Sequence, residues 1–252
     1  MWGRSRMIAS LLYLVFLLLC CSPLRAQETA MANAAPCKAS ADIPEFSVPQ
    51  RGDSNGAPSP LLRQQFDLVR ARSFSELSGK FIESRTFRSS ADYFRTRFSF
   101  SRFILLRPMH YFVEINPRIA VSGPSEQSVC AILAHELVHI DRMSMGNRIR
   151  LFGLVRLVSR GYTARFERST DLEAIRRGYG PGLISFREWV YLNIPSAALK
   201  LKRRNYFSPE EISAILRLSQ ANPALPAYWK QYVPMNLQEI LASPAAASKR
   251  PS

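Results

Sequence analysis

Only three histidines occur in 252 residues, and two of them flank a short string, His135-Glu136-Leu137-Val138-His139. A separation of four residues is about one helical turn, so both imidazoles leave one face and can close on a single metal ion. Glu136, offset from that face, can reach a water held there and move its proton. Scattering 3 His and 13 Glu over this chain produces such a string about once in 800 chains. The plain alternative, two hydrogen-bonded histidines in a packed helix, spends two of three histidines on one helix face without chemistry.

The surrounding residues supply the helix. Pro124-Ser125 opens it with Ser125 as N-cap and Glu126 in the first turn, and Val129, Ile132, Leu133 and Leu137 recur at helical spacing. A catalytic zinc site takes three protein ligands and leaves the fourth position to water. A metzincin would need Gly at 142 and His at 145, where this chain has Arg142 and Met145. The remaining histidine, His110, lies upstream in a strand region, so the third ligand is expected to be a carboxylate. On a second helix, Glu167 and Asp171 share a face at i,i+4, and Glu167 is the expected ligand.

In these two motifs, Ala134 to His139 and Glu167 to Asp171, the chain resembles the gluzincin zinc metallopeptidases, and in local texture the HtpX-like and prenyl-protein endopeptidase group. The resemblance covers about 50 residues, Val129 to Gly178, and does not extend to the several transmembrane helices of membrane-bound members. It implies a zincin-like α+β fold, a Zn2+ site of His135, His139 and Glu167, and support of a histidine ligand, His135, by Asp171. It implies hydrolysis of peptide bonds with Glu136 as general base, and pairing of an extended protein or peptide substrate along the strand Tyr111 to Asn116. No histidine follows His139 to steady the oxyanion, so the donor is a Tyr, an Arg or backbone, with Tyr162 and Tyr179 as weak choices.

The elements that must position this site begin with a helix near Pro60, carrying Leu61, Leu62, Phe66, Leu68 and Val69. Phe94, Thr96, Phe98 and Phe100 alternate with Arg95, Arg97 and Ser99, which predicts a half-buried strand. Runs at Phe103 to Leu106 and Tyr111 to Ile115, parted by Arg107-Pro108, complete a small antiparallel sheet ahead of the active helix. Helices dominate afterwards. Asn147 to Arg160 is amphipathic and cationic, fit to lie on an anionic membrane or to pack on the zinc-site helix. Gly178 to Gly182 ends the second helix, Leu183 to Leu192 forms another, and Ser208-Pro209-Glu210-Glu211 is a capping box with Pro at the first helical position. Tyr228, Trp229, Tyr232 and Leu237 to Leu241 wrap back across the body.

The ends of the chain read differently. Arg4 and Arg6 precede an apolar run from Met7 to Cys21, and Ala26 offers a cleavage point, which is the layout of a secretory signal or, if uncut, an anchor at residues 7–21. Residues 27–59 are a Pro-, Ala- and Ser-rich flexible linker, 60–243 the zincin-like domain and 244–252 a disordered tail. The expected location is periplasmic or extracellular. The net charge of +15 loses three arginines and no acid with residues 1–26, leaving a strongly basic chain of +12. That basicity allows an anionic membrane surface as partner, and scattered arginines without a recognised motif point away from nucleic acid. The rival reading is an inactive metal-site protein that binds at an anionic cell-envelope surface. Cys37 and Cys130 remain after cleavage and either pair, or leave Cys130 as a buried thiol.

Overall fold

A computed structural model describes residues 58–120, 123–145 and 160–248. The signal segment, nearly all of the linker and the amphipathic stretch from Asn147 to residue 159 lie outside the described residues. Helix α1 (Pro60–Ser73) starts at Ser59, whose hydroxyl accepts from Leu62 N, and buries Leu62, Phe66 and Val69. A three-stranded sheet follows: β1 (Phe81–Thr86), β2 (Phe94–Phe98) and β3 (His110–Ile115), with the short helix α2 (Phe100–Ile104) between β2 and β3. The remaining elements are helical: α3 (Glu126–Met145), α4 (Arg160–Ala174), α5 (Gly180–Asn193), α6 (Ser196–Asn205), α7 (Pro209–Ala221), α8 (Leu225–Gln231) and α9 (Leu237–Ser248). The class is α+β and mostly helical, as the sequence predicts. Among the described residues no helix is long and apolar enough to cross a membrane.

The sheet corrects three expectations. Its order is β1-β3-β2, with β1 parallel to β3 (Phe81 opposite His110, Thr86 opposite Ile115) and β2 antiparallel to β3 (Phe94 opposite Ile115, Phe98 opposite Tyr111), so it is mixed and not antiparallel. β3 is the central strand, paired on both sides, and has no free edge for a substrate. The run Phe103 to Leu106 is the end of a helix and a turn, not a strand. A four-residue apolar run cannot separate the two, and here Ser99 O and Ser101 O capture the amides of Phe103 and Leu105 before any ladder forms.

Helix α3 is the axis of the molecule. Every residue from Ser128 to Val138 is buried, which requires neighbours on all sides, and α1, α4, α5 and the sheet supply them. Contact with α5 is tight at Gly182, where a methyl group would run into Gln127 O and come within 2.7 Å of Ala131 Cβ. Between α4 and α5 the chain makes a π-type turn with Gly178 at φ 92°, a value that glycine adopts without strain. Cys130 is buried and disulfide-bonded, so the free-thiol reading fails; its partner is a cysteine outside the described residues. The capping box of α7 forms as expected, Ser208 Oγ accepting from Glu211 N and Glu211 Oε2 from Ser208 N. Helix α9 continues to Ser248, past the expected boundary at 243, through Ala245 to Ala247, which are strong helix formers.

One buried charge on α3 is poorly compensated. Asp141 is buried, its Oδ1 has no hydrogen-bond partner, and Arg177 Nη2 lies 3.8 Å from Oδ2. Burial, only partly offset by Arg177, lifts its carboxyl to about 6. A carboxyl raised in the folded state favours folding in its protonated form, so this group adds stability as pH falls through about 6 and withholds it above. Asp141→Asn should therefore raise stability at pH 7.5 by about 1–2 kcal/mol and change little at pH 4.5, measured by urea unfolding at both.

Candidate metal centre

His135 and His139 stand one turn apart on the buried stretch of α3, and Glu167 projects from α4. His135 Nε2 and His139 Nε2 are 3.1 Å apart. Glu167 Oε2 lies 3.3 Å from the first and 3.2 Å from the second. Three lone-pair atoms thus form a nearly equilateral triangle. Ligand atoms around a tetrahedral zinc ion at about 2.0–2.1 Å stand roughly 3.3–3.4 Å from one another, so the triangle fits one face of such a shell. Glu167 Oε2 is buried without a hydrogen-bond partner, an orphan that a cation would satisfy. Among the described residues this group could hold a metal ion.

Two clamps set its geometry. Arg142, one turn beyond His139, donates to the Phe166 and Ser169 carbonyls and to the Ser169 and Thr170 hydroxyls, fastening α4 at the level of Glu167. Arg168, beside Glu167, is buried and donates to Glu211 Oε1 at 3.0 Å, which ties α4 to the capping box of α7. Phe166 stacks on the His139 ring at 5.2 Å between centroids.

Behind the ligands, His135 Nδ1 lies 2.8 Å from Asp171 Oδ1, which turns Nε2 toward Glu167. Asp171 also accepts from Arg187 Nη2 on α5 at 3.0 Å and from Phe207 N at 3.1 Å. Burial pushes the Asp171 carboxyl up, but Arg187, His135 and the Phe207 amide hold it below its ordinary value. Burial likewise penalises charge on Glu167, and the facing His139 and His135 overcome it, so that carboxyl sits well below the usual range. Burial alone would depress His135; the Asp171 and Glu167 carboxylates beside its two ring nitrogens outweigh it and raise the ring to about 9.

Glu136 is buried, and Thr96 of β2 donates to its Oε2 at 2.7 Å. Glu136 and His135 line a cavity of about 30 Å³, shared with Tyr206, Arg187 and the apolar Tyr93 and Phe94. That is room for a water molecule. The Tyr206 ring lies 5.7 Å from that of His135 and 4.3 Å beneath the Arg187 guanidinium. Burial and the neighbouring Glu167 carboxylate keep its hydroxyl well above 10, hence a donor at neutral pH.

The structure brings together His135, Glu136, His139, Glu167 and Asp171. Tyr162 and Tyr179 do not join them: Tyr162 is exposed and stacks on Phe166, and Tyr179 shares a hydrogen bond with Ser73 Oγ at 2.7 Å. His110 stands at the far end of β3, 3.3 Å from Glu83 Oε1. Thr96, Arg187 and Tyr206 escaped the sequence reading, because no local pattern distinguishes them from ordinary strand, helix and loop residues. No family model, curated protein or solved structure matches this chain.

The protein should bind about one zinc ion, and His135→Ala, His139→Ala and Glu167→Ala should each lose it, as read by metal analysis after dialysis. Uptake must displace the His135 proton, so affinity should climb about tenfold per pH unit between 7 and 9 and flatten above, with proton release visible by calorimetry in two buffers. Stoichiometric zinc in Glu167→Ala would reassign the third ligand.

Proposed function

We propose that this protein is an exported zinc endopeptidase of the gluzincin type, built on a zincin-like domain. The observation that carries the reading is the triangle of His135, His139 and Glu167 atoms with Glu136 in the next position, lining one cavity with His135. Two imidazoles and a carboxylate suit zinc, which when bound acidifies a water and polarises a carbonyl. Glu136 would take a proton from a water held beside His135 and pass it to the leaving amine. The Thr96 hydroxyl holds the carboxylate in place and fixes which oxygen is free to do so.

Tyr206 is the donor that fits the oxyanion role. It is protonated at neutral pH and packed against His135, and Arg187 above it keeps the ring in place. The strand nearest the catalytic residues is β2, through Thr96, and its outer edge pairs with no other strand among the described residues. An extended substrate gains backbone hydrogen bonds there in the role first expected of β3.

Export rests on the Arg-flanked run Met7 to Cys21. The disulfide at Cys130 supports it, since such a bond persists in an oxidising compartment.

With a mixed peptide pool as substrate, Glu136→Gln should keep its zinc and fold and lose about 10²-fold or more in hydrolysis. Tyr206→Phe should keep zinc and lose about 10²-fold or more in kcat with little change in KM. A wild type that holds zinc and cleaves nothing in that pool would favour the inactive binding protein, and a Glu136→Gln as fast as wild type would remove Glu136 from the mechanism.

A further inference from the structure

One end of the sheet is apolar where it meets water. Phe81 at the start of β1 is 62% exposed, and Phe100, Ile104, Leu105 and Leu106, in and after α2, are 66%, 55%, 60% and 76% exposed. They belong to one surface: Ser99 N donates to His110 O, and the His110 ring contacts Phe81 at 4.3 Å, so the α2 turn and the start of β1 flank the first residue of β3. Single exposed hydrophobics are ordinary, but five large ones together at the tip of an element mark a surface that meets an apolar partner.

The turn is a fixed display. Phe103 is its one buried side chain, held between Phe98 and Phe100. The amides of Phe103, Leu105 and Arg107 are bonded at 3.0 Å to the carbonyls of Ser99, Ser101 and Arg102. Leu106 has φ 55°, a left-handed conformation that glycine or asparagine adopts more readily, and it is the one non-glycine residue in that region among the described residues. The chain thus keeps a leucine where its backbone is strained and its side chain stands in water. Folding gains from neither.

The charge around the patch identifies the partner. From Tyr93 to Val113 there are four arginines and no acidic residue. Arg97, Arg102 and Arg107, with Lys80 ahead of Phe81, are exposed around the apolar tip. A ridge of Phe, Ile and Leu rimmed by cations on a protein of net charge +15 complements the boundary of an anionic bilayer, acyl chains below and phosphates at its level.

We propose that Phe81 and the Phe100–Arg107 turn form a docking face that inserts into the surface of an anionic lipid membrane. This does not depend on the peptidase reading. If that reading holds, it has a consequence for substrate class: Thr96, which touches Glu136, precedes Phe100 by four residues, about 13 Å of strand. The catalytic groups then work close to the bilayer, on peptide segments that emerge from it.

The test is hydrogen exchange of the full chain, read at residues 99–109, with vesicles of phosphatidylglycerol and phosphatidylcholine and with vesicles of phosphatidylcholine alone. This readout is local, so membrane attachment through residues 7–21 does not mimic it. Slower exchange with the anionic vesicles, lost in Leu105→Asp/Leu106→Asp, is the expected result. The substituted side chains are exposed, so the melting temperature should hold; Leu106→Asn alone, which relieves the backbone, should melt no lower than wild type and weaken the protection if the double variant does not fold. Unchanged exchange on vesicles that carry the protein down would overturn the proposal. Equal protection on phosphatidylcholine alone would overturn the role of the arginines, and protection that grows with protein concentration without lipid would assign the face to a second copy of the chain.

Discussion

The structure hangs on one buried carboxylate. Asp171 has no exposed surface and meets three separate pieces of chain: it accepts from the Arg187 guanidinium on α5 and the amide of Phe207 ahead of α7, and it lies 2.8 Å from His135 Nδ1 on α3. A bare carboxylate at that depth is prohibitively costly, so the packing that buries it is possible only when all three donors arrive. Two acts are thereby coupled. The fold cannot close around α4 without turning His135 so that Nε2 faces Glu167, and the ligand cannot be oriented without bringing α5 and the start of α7 into place.

The legible part of this arrangement was the part written at short range. One-turn spacing gives His135 and His139, one further turn-length gives Glu167 and Asp171, and Ser208-Pro209-Glu210-Glu211 gives a capping box, because each depends on neighbours three or four residues away. Thr96, Arg187 and Tyr206 act across separations that leave no periodic trace: Thr96 reaches Glu136 forty residues on. The sheet was harder for the same reason. β1, Phe-Ile-Glu-Ser-Arg-Thr, has only two apolar residues and becomes a strand by pairing with β3. The run Phe103 to Leu106 does not form the expected strand: all but Phe103 face out, where hydrophobic pattern ceases to report on the core.

Electrostatics at the centre are those of a site made for a cation. Two imidazoles and a carboxylate converge within 3.3 Å, and the carboxylates on either side of His135 raise its ring to about 9. A metal ion bound there would compete with the proton of that ring, so its affinity would rise with pH. The same convergence explains why the carboxyls of Glu167 and Asp171 stay low despite burial.

The helix bearing the ligands is immobilised at both ends, and this decides how metal and fold relate. Toward its start, the close approach of Gly182 sets α3 against α5. Toward its end, Arg142 grips the carbonyls and hydroxyls of α4 around Glu167. Between the clamps, every side chain from Ser128 to Val138 is packed. Small zinc domains lack such a core and fold only when metal arrives. Here the donor atoms are held by apolar packing and buried hydrogen bonds that exist without the ion, so its binding energy is not consumed in ordering the chain. The small cavity lined by His135, Glu136 and Tyr206 adjoins one corner of this triangle. A position open to water beside the triangle would suit a metal held for chemistry, and a fourth protein ligand one held for shape.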